Sequence, residues 1–585
     1  MQQQPQNHSN IILATVLSMF ILLAWSFFYE QPKLHKQEMQ KKASNSANSN
    51  INNNTDAKNN SPSSTSLETS EIKSINSLVA RDQYFSTSEA KNKRVTINNN
   101  NLHGSILLQG AIFDDLTLAN YFTQLNSKKE VVLFSPSSTT ERYFADFGWI
   151  NKDDSQIILP NPNTLWQANN NILTPNKPLI LTWQNGQGVD FVITISIDDK
   201  YMFDIKQEVI NHTSATLKLA NYGRISRLFT PQKQANFILH EGPIGVFNGI
   251  LEEFSYQKIA KEQQKNFSNS TAGSWLGITD KYWLSTIIPS PNISYQASFI
   301  HQINNQQNQY LTTFTSDTLE IMPNSKIDVN HHLFAGAKTV KLLDSYKNQF
   351  NLKLFDRAID FGWFYFLTKP FFFIIDFLYK LLGNFGLAIL AMTVLVKLAL
   401  FPIANKSYLA MARIRQIQPK LEVLRKKTTD KIALNREIME LYKKEKINPA
   451  SGCLPIFIQI PIFFALYKVF FVTLDMRHAA FYGWIHDLSA PDPTSVFNLF
   501  GLLPFTVSGF FNIGVWPILM GITMFLQQKA SPTTTDPIQA KVLKLMPFIL
   551  TFLLASFPSG LVIYWTWSNT LSILQQLYIN HKHKH

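Results

Sequence analysis

The sequence predicts a polytopic α-helical membrane protein that carries a large antiparallel β-sandwich domain outside the membrane. Residues 360–580 are dominated by long apolar runs, whereas residues 1–350 are mostly polar after one apolar segment at the start. From about residue 95 to 345, short segments alternate between apolar and polar side chains, which is typical of half-buried strands. The mean hydropathy of −0.06 therefore averages two unlike halves of the 585-residue chain.

The first apolar segment predicts a membrane anchor. Ile11–Tyr29 carries no charge and is long enough to cross a bilayer. The residues before it lack Lys and Arg, and no small-residue cleavage site follows. We therefore expect an uncleaved anchor within residues 1–30 rather than a signal peptide. Residues 31–94 are expected to form a disordered linker, because their centre is rich in Asn, Ser and Lys.

Residues 95–350 are predicted to form the outer β-sandwich. Val192–Ile197 alternates in the expected way, and turn residues separate it from similar runs. The aromatic residues Trp166, Trp183 and Trp275 either line a groove or belong to the sandwich core. This part of the sequence contains no dense metal-ligand cluster and no nucleophile motif. Cys453 is the single cysteine of the chain, so neither a disulfide framework nor a redox pair is possible.

Five more apolar runs predict further spans. They are Phe385–Phe401, Cys453–Thr473, Ile513–Gln527, Leu543–Phe557 and Leu561–Tyr578. The last two form a hairpin that turns at residues 558–560, Pro-Ser-Gly. Val496–Phe511 is also apolar, but it is short and interrupted by Gly and Pro. It is expected to be an interfacial or re-entrant helix, which leaves six spans in total.

Loop charges orient these spans. Residues 403–449 hold 12 Lys and Arg against 5 Asp and Glu, a net charge of +7, which predicts a cytoplasmic loop. The loop Asp475–Pro493 is acidic and is expected outside. Parity then places residues 30–350 outside and both termini in the cytoplasm. The chain's charge of +13 lies mainly in loops between apolar runs. Membrane orientation explains it better than binding of a specific nucleic-acid sequence.

The cytoplasmic loop is predicted to be a helical hairpin. Ile414, Ile417 and Leu421 follow heptad spacing, and a second apolar repeat follows a break at residues 428–430. Joints are expected at Pro402 and Pro449, with a kink at Pro419. Its outer face is basic. That face either contacts lipid, the ribosome or a nascent chain, or is solvated and only orients the membrane spans. Its candidate residues are Arg413, Arg425, Lys426 and Lys427.

Lys397 is the residue whose position is hardest to explain by structure alone. It lies in the apolar run Phe385–Phe401, which contains no Asp or Glu. An ionisable group at that depth costs roughly 3 kcal/mol or more. Thr393 precedes it by four residues and shares its helix face. Lys397 either extends its stem to the headgroups or serves a function.

Other polar residues fall in the same, cytoplasmic half of their spans, whereas the outer halves are mostly apolar. Gln459, Thr523 and Asn569 are examples. Lys468 is an exception near an outer end, where it is expected to snorkel. The pattern indicates a wet cavity that opens to the cytoplasm and is sealed outside. The alternative is hydrogen bonding between helices without a cavity.

Seven strings in this sequence resemble one protein family, the YidC membrane protein insertases of the Gram-negative type. They are Gln418-Pro419-Lys420, Asn448-Pro449, Gly452-Cys453-Leu454-Pro455, Gln459–Phe463, Trp484–Ser489, Ser531–Thr534 and Phe557–Leu561. The resemblance is densest over residues 355–580 and extends to the layout of anchor, outer domain and helical core.

That resemblance implies a periplasmic β-supersandwich and a five-span insertase core in the bacterial inner membrane. The core comprises an interfacial helix region at 355–383, a second span at 384–402, spans three to six at 450–580 and a cytoplasmic tail at 581–585. It also implies a groove open to lipid and cytoplasm. We assign to the groove the residues Thr393, Lys397, Gln459, Thr523, Gln527, Tyr564, Trp565 and Asn569. The family usually has Arg where this chain has Lys397. Lysine keeps the charge but loses the planar, bidentate fork.

The implied function is to insert nascent inner-membrane proteins and help them fold. The implied partners are those nascent chains, the Sec translocon with its accessory subunits, the ribosome and membrane lipid. No bond is made or broken in this process, so no enzyme activity, catalytic residue, metal or cofactor is expected.

Two rival functions come from other classes. A solute transporter or channel would show intramembrane acids or inverted repeats, and neither is seen in the sequence. A membrane-anchored, carbohydrate-active enzyme would need paired carboxylates that converge in the outer domain.

Overall fold

The computed structural model describes most of the chain after the predicted anchor. The described residues are 80–86, 93–125, 127–153, 156–229, 239–267, 272–304, 306–427, 430–448, 454–501, 503, 512–530 and 537–582. The predicted anchor Ile11–Tyr29 and most of the predicted linker lie outside these ranges.

The outer domain consists of two packed sheets. The strands are β1 Arg94–Asn98, β2 Leu102–Leu107, β3 Ile112–Phe122, β4 Glu130–Phe134, β5 Tyr143–Asn151, β6 Gln167–Ala168, β7 Ile172–Leu173, β8 Leu179–Gln184, β9 Val189–Ile197, β10 Met202–Asn211, β11 Leu217–Arg227, β12 Gly242–Phe247, β13 Ile250–Glu253, β14 Gln264–Phe267, β15 Trp275–Thr279, β16 Trp283–Ile288, β17 Tyr295–Asn304, β18 Gln307–Ser316, β19 Leu319–Ile321 and β20 Ser325–Ala337. One sheet has the order β14-β17-β18-β11-β5-β3-β2-β1-β7, with β19 on β11 and β4 on β3. The other has the order β13-β12-β15-β16-β20-β10-β9-β8-β6.

Alternating side chains build the core between the sheets. In β9, Phe191, Ile193 and Ile195 are buried, whereas the residues between them are partly exposed. Phe113 of the first sheet and Phe203 of the second meet edge to face, with ring centroids 5.3 Å apart. The pairing is antiparallel as predicted, except that β1 and β7 pair in parallel. A pattern of alternation reports which face is buried, but not the direction of the neighbouring strand.

The tryptophans belong mainly to this core. Trp166 and Trp275 are buried, and Trp183 is half-buried with its ring 5.7 Å from that of Phe191. The last part of the predicted linker is also structured. Residues Arg81–Tyr84 form helix α1, and Arg81 forms an ion pair with Asp115 of β3.

The remaining helices are α2 Tyr256–Glu262, α3 Val340–Gln349, α4 Tyr365–Leu382, α5 Phe385–Lys427, α6 Lys431–Lys444, α7 Leu454–Val472, α8 Val515–Ala530, α9 Pro537–Leu554 and α10 Ser559–Lys582. The first of them lies within the outer domain. By length and composition, α5 is the one described helix that is long and apolar enough to cross a membrane, and Phe457–Val472 and Val542–Leu554 form shorter apolar stretches.

The segment between the outer domain and α5 is held by buried charges. It contains α3, a short 3-10 helix at Phe355–Ala358, and α4. Asp356 is buried, and its carboxylate pairs with Lys369 at 2.9 Å and with Lys347 at 3.0 Å. The region 355–383 predicted to hold an interfacial helix thus contains α4, preceded by a charged turn.

Helix α5 differs from the prediction at Pro402. The sequence predicts a joint there, but the helix continues through Pro402 and Pro419 for 43 residues. Proline removes one backbone donor and crowds the preceding turn, which bends a helix more often than it stops one when the flanking residues favour helix. The predicted second span and the first arm of the hairpin are therefore one element.

The hairpin itself packs as the heptad spacing predicts. Ile417 and Leu421 of α5 form a buried cluster with Tyr442 and Ile447, and Ile414 and Ile438 pack against it. Lys420 and Glu445 form an ion pair at 2.7 Å across the two arms.

The apolar segment Val496–Phe511 is only partly described. Its described start is not a regular helix, because Leu499 and Phe500 adopt left-handed backbone angles within a short 3-10 turn. A break lies where the sequence predicts a turn at residues 558–560, since α9 ends at Leu554 and α10 begins at Ser559. Ser559 donates a hydrogen bond to the carbonyl of Ala490 at 2.7 Å, which fixes this turn to the preceding loop.

Candidate functional site

Lys397 lies at the centre of the candidate site. It projects from α5 toward α10, where its Nζ donates a hydrogen bond to Oγ of Ser572 at 2.8 Å. It is partly exposed. No described carboxylate forms an ion pair with it. The lysine is therefore held by a neutral hydroxyl, which leaves its charge uncompensated by any described residue.

Thr393 lies one turn before Lys397 and is fully buried. Its hydroxyl donates to the carbonyl of Ile389 at 2.7 Å. A threonine that bonds back to its own helix satisfies its donor locally. It keeps an acceptor lone pair beside the lysine.

Two side-chain amides form hydrogen bonds between the other helices of the site. Gln459 of α7 donates from Nε2 to the hydroxyl of Tyr564 on α10 at 2.6 Å. Asn569 of α10 donates from Nδ2 to Oγ1 of Thr523 on α8 at 3.3 Å. Thr523 in turn donates to the carbonyl of Met520 at 2.8 Å. The predicted polar residues thus come together mainly along one helix, α10, with α5, α7 and α8 around it.

Of the remaining predicted groove residues, Trp565 packs rather than binds. Its ring centroid is 4.8 Å from that of Phe463, beside a buried apolar cluster of Met520, Leu554 and Val562. Gln527 is half-buried near the end of α8. Along α10, the apolar residues therefore precede the polar ones, as the sequence predicts.

Several site residues were missed by the sequence reasoning. Ser572 binds Lys397, and the hydroxyl of Tyr408 lies beside Ser572 and Gln576. Gln576 is buried, and its Oε1 accepts no hydrogen bond from the described residues. A signal was available: Tyr564, Ser568, Ser572 and Gln576 recur every four residues, which places them on one face of a helix.

The basic residues of the hairpin lie apart from this cluster. Arg413, Lys426 and Lys427 are exposed and form no ion pair with a described residue. Arg425 is half-buried. The base of the hairpin touches the helical region through Arg415, whose guanidinium donates to the carbonyl of Ala530 at the end of α8.

Lys468 corrects a prediction. It was expected to snorkel, but it is buried, and its Nζ pairs with Asp360 at 2.8 Å. Asp360 lies 108 positions earlier in the chain, so inspection of the apolar run alone could not reveal the partner.

Paired carboxylates do meet in the outer domain, but each is engaged. Asp280 binds Arg227 at 2.6 Å, and Oε1 of the neighbouring Glu241 accepts from the backbone N–H of Lys281 at 3.0 Å. Burial raises the pKa of Glu241, and the charge of Asp280 raises it further. Within the described ranges, no group of three or more His, Cys, Asp or Glu residues is placed to hold a metal ion.

Comparison with known proteins covers both halves of the chain. Residues 94–374 match the family model of the YidC periplasmic domain, and residues 377–585 match that of the 60Kd inner membrane protein. The membrane protein insertase YidC of Rickettsia bellii is 46% identical over 576 residues, which cover 98% of this chain and 99% of that protein. The one of Rickettsia akari is 45% identical over the same shares. A solved structure, the active YidC insertase with its first transmembrane domain resolved, is 15% identical, covers 82% of this chain and 92% of that one, and gives a TM-score of 0.34.

Proposed function

Because the chain belongs to the YidC family of membrane protein insertases, we propose that it acts on nascent membrane proteins through the polar cluster around Lys397. It is an inner-membrane protein with a periplasmic domain, and its substrates are nascent membrane proteins. The family is not a class of enzymes, and we assign this chain no catalytic residue and no cofactor.

The single observation that carries the proposal is the surroundings of Lys397. An ammonium at membrane depth is costly unless it is paired, even when it is only partly buried. Here its one described partner is the Ser572 hydroxyl, 2.8 Å away. An acidic group on a substrate tail would supply the missing counter-charge. The cluster therefore favours a transient anionic partner over a permanent internal one.

The neighbouring hydroxyls and amides would then act on the backbone of the same tail. Gln459 and Asn569 now bond to other side chains, and these bonds can be exchanged for bonds to a peptide at little net cost. A polar tail that enters from the cytoplasm meets these groups before it must leave water entirely. The apolar segment of the substrate then moves into lipid, driven by roughly 25 cal/mol per Å² of buried apolar surface.

We place this site in a six-span topology with both termini in the cytoplasm. The net charge of +7 on residues 403–449 supports a cytoplasmic hairpin. The basic hairpin is the proposed contact for the ribosome and for anionic lipid, through electrostatic attraction. We further propose that the Sec translocon and its accessory subunits share some substrates with this protein, as the family implies.

The test is insertion of a single-span substrate into proteoliposomes, with two substrates that differ only in an acidic or a neutral tail. Lys397→Arg should retain insertion because the charge remains. Lys397→Ala should impair it, and Lys397→Glu should reduce it at least about tenfold for the acidic tail, since a carboxylate at this position would repel that tail. The loss should be larger for the acidic tail.

A matched control is Lys529→Glu, which reverses an exposed charge at the end of α8. It should leave insertion near the wild-type level. Full activity of Lys397→Glu with the acidic-tail substrate, in protein of normal abundance, would overturn the electrostatic role.

A further inference from the structure

Residues of the outer domain contact the C-terminal end of helix α7, near Phe471. Nζ of Lys281, in the turn between β15 and β16, lies 3.6 Å from the centroid of the Phe471 ring. The hydroxyl of Tyr282, in the same turn, donates to the carbonyl of Phe471 at 3.5 Å. Just beyond the helix, Arg477 donates to the carbonyl of Phe122 at the end of β3. The same helix also carries the partly buried ion pair of Lys468 with Asp360.

Asp360 accepts three donors from three parts of the molecule. Its Oδ2 accepts from Nζ of Lys468 at 2.8 Å and from the backbone N–H of His240 at 3.1 Å. Its Oδ1 accepts from the N–H of Gly362 at 3.0 Å. Burial raises the pKa of this carboxyl, but the ammonium of Lys468 and these hydrogen bonds outweigh it, so the pKa lies below its usual value.

Gly362 makes room for this pair. Its φ of +71° is a conformation that side chains disfavour. A Cβ at this position would lie 3.1 Å from Cε of Lys468. The strap, which we define as residues 355–362, therefore approaches α7 more closely than most residues would permit.

The outer domain fixes the strap in turn. Lys338, at the end of β20, is buried and donates to the carbonyl of Ala358 at 3.1 Å and to Oγ1 of Thr279 at 2.8 Å. The ring of Phe355 is fully buried and meets Trp275 edge to face at 5.3 Å. The sandwich thus contributes directly to the position of Asp360.

The same helix carries a candidate groove residue. Gln459 precedes Lys468 by nine residues, which is two and a half helical turns, so the two side chains point to opposite sides of α7. On one side Lys468 meets the strap, and on the other Gln459 meets Tyr564. A shift or rotation of α7 at Lys468 would move Gln459 as well.

We propose that the Asp360–Lys468 pair is a positioning contact through which the outer domain sets the depth and rotation of α7, and with it the wall of the groove. The proposal rests on the proposed groove function. A buried ion pair is weak evidence for stability, because apolar or neutral pairs often serve as well. The three hydrogen bonds to the Asp360 carboxylate are directional. The pair therefore fixes the relative position of the groups that it joins.

Four variants of the full chain separate position from stability. Lys468→Met and Asp360→Asn each remove one partner of the ion pair and should reduce both abundance and insertion. The double variant, Asp360→Asn with Lys468→Met, removes both charges and should restore abundance, yet insertion should stay about fivefold below wild type. Lys468→Arg keeps the charge and should insert normally.

The matched control is Asp146→Asn, which breaks the Arg224–Asp146 pair, 2.9 Å long, between two strands of the sandwich. It should lower the stability of the outer domain without changing insertion per folded molecule.

A second readout reports position directly. With Cys453→Ala, Gln459→Cys and Tyr564→Cys can be joined by a short bifunctional maleimide in the absence of substrate. The yield should fall in the double variant at 360 and 468 and stay unchanged with Asp146→Asn. Wild-type insertion and wild-type crosslinking in the double variant would overturn the proposal. Failure of the wild-type chain to insert would instead count against the proposed function.

Discussion

Arg227 and Lys397 lie in opposite kinds of surroundings. Arg227, in the sandwich, is buried and bonds to Asp280 at 2.6 Å and to the hydroxyl of Tyr256 at 3.1 Å. Lys397, in the helical region, has a serine hydroxyl as its described partner. Arg227 thus has its counter-charge within the sandwich. Lys397 has no carboxylate partner among the described residues, which leaves it able to bind an anionic group.

The largest effect on stability should follow from removing the carboxylate partner of a buried charge in the sandwich. Asp280→Ala would leave the guanidinium of Arg227 buried without its carboxylate, which should lower the free energy of unfolding by about 3–5 kcal/mol. Pulse proteolysis of the purified chain in urea would measure this. Asp328→Ala removes an exposed partner of Lys206, 3.5 Å away, and should cost less than about 1 kcal/mol. Equal costs for the two variants would contradict the comparison.

A new charge in the hairpin cluster should be nearly as damaging. Leu421 is buried and Ile438 packs against the same cluster, so Leu421→Asp with Ile438→Asp should separate the two arms, at a cost of roughly 3 kcal/mol or more. Insertion should fall, and proteolysis near residues 428–430 should increase. Val423→Asp with Ile432→Asp places the same charges at exposed positions of the same helices and is the control. Normal insertion by the variant with Leu421→Asp and Ile438→Asp would show that the hairpin acts only as a spacer.

Lowering the pH should destabilise the folded sandwich without any mutation. His331 is buried, its Nδ1 accepts from the N–H of Ser290 at 3.0 Å, and its Nε2 bonds to Asn221. Burial, aided by His332, lowers its pKa from 6.5 to about 3. Between about pH 3 and pH 6.5, His331 therefore binds a proton in the unfolded chain but not in the folded chain. Stability should be fully present above pH 6.5 and fall toward pH 3, by about 2 kcal/mol at pH 5. His331→Gln should flatten this slope in urea unfolding, and an unchanged slope would assign it to other groups.

The smallest effect should come from charges that water already screens. Replacing Arg425, Lys426 and Lys427 by Gln should weaken ribosome association about twofold at physiological salt and more at low salt. Cosedimentation across a salt series would measure it. A loss that is large and independent of salt would indicate a specific contact rather than general attraction.

Local patterns predicted the elements well and their long-range partners poorly. The apolar runs and the Pro-Ser-Gly turn predicted α7 to α10. For the polar residues the sequence left a cavity and bonding between helices open, and Gln459 and Asn569 bond to Tyr564 and Thr523 on neighbouring helices. Periodicity depends on the nearest few residues. The pairing of Lys468 with Asp360 and the parallel pairing of β1 with β7 join residues far apart in the chain, so no local window contains them.

The continuity of α5 through Pro402 has a different origin. The sequence predicts a joint there, yet the residues on both sides continue the helix. The backbone there follows the balance of the whole segment rather than one unfavourable residue. Ser572 was missed for the same reason as the long-range pairs, since its partner Lys397 lies 175 positions earlier in the chain.

Helix α5 continues from Phe385 to Lys427, so one helix carries both Lys397 and the first arm of the hairpin. At 1.5 Å per residue, its 43 residues extend about 65 Å, roughly twice the hydrocarbon thickness. Lys397 lies about 45 Å along the helix from the far end at Lys427. Pro402 and Pro419 lie between them, so a bend at either proline changes where the tip of the hairpin lies relative to Lys397.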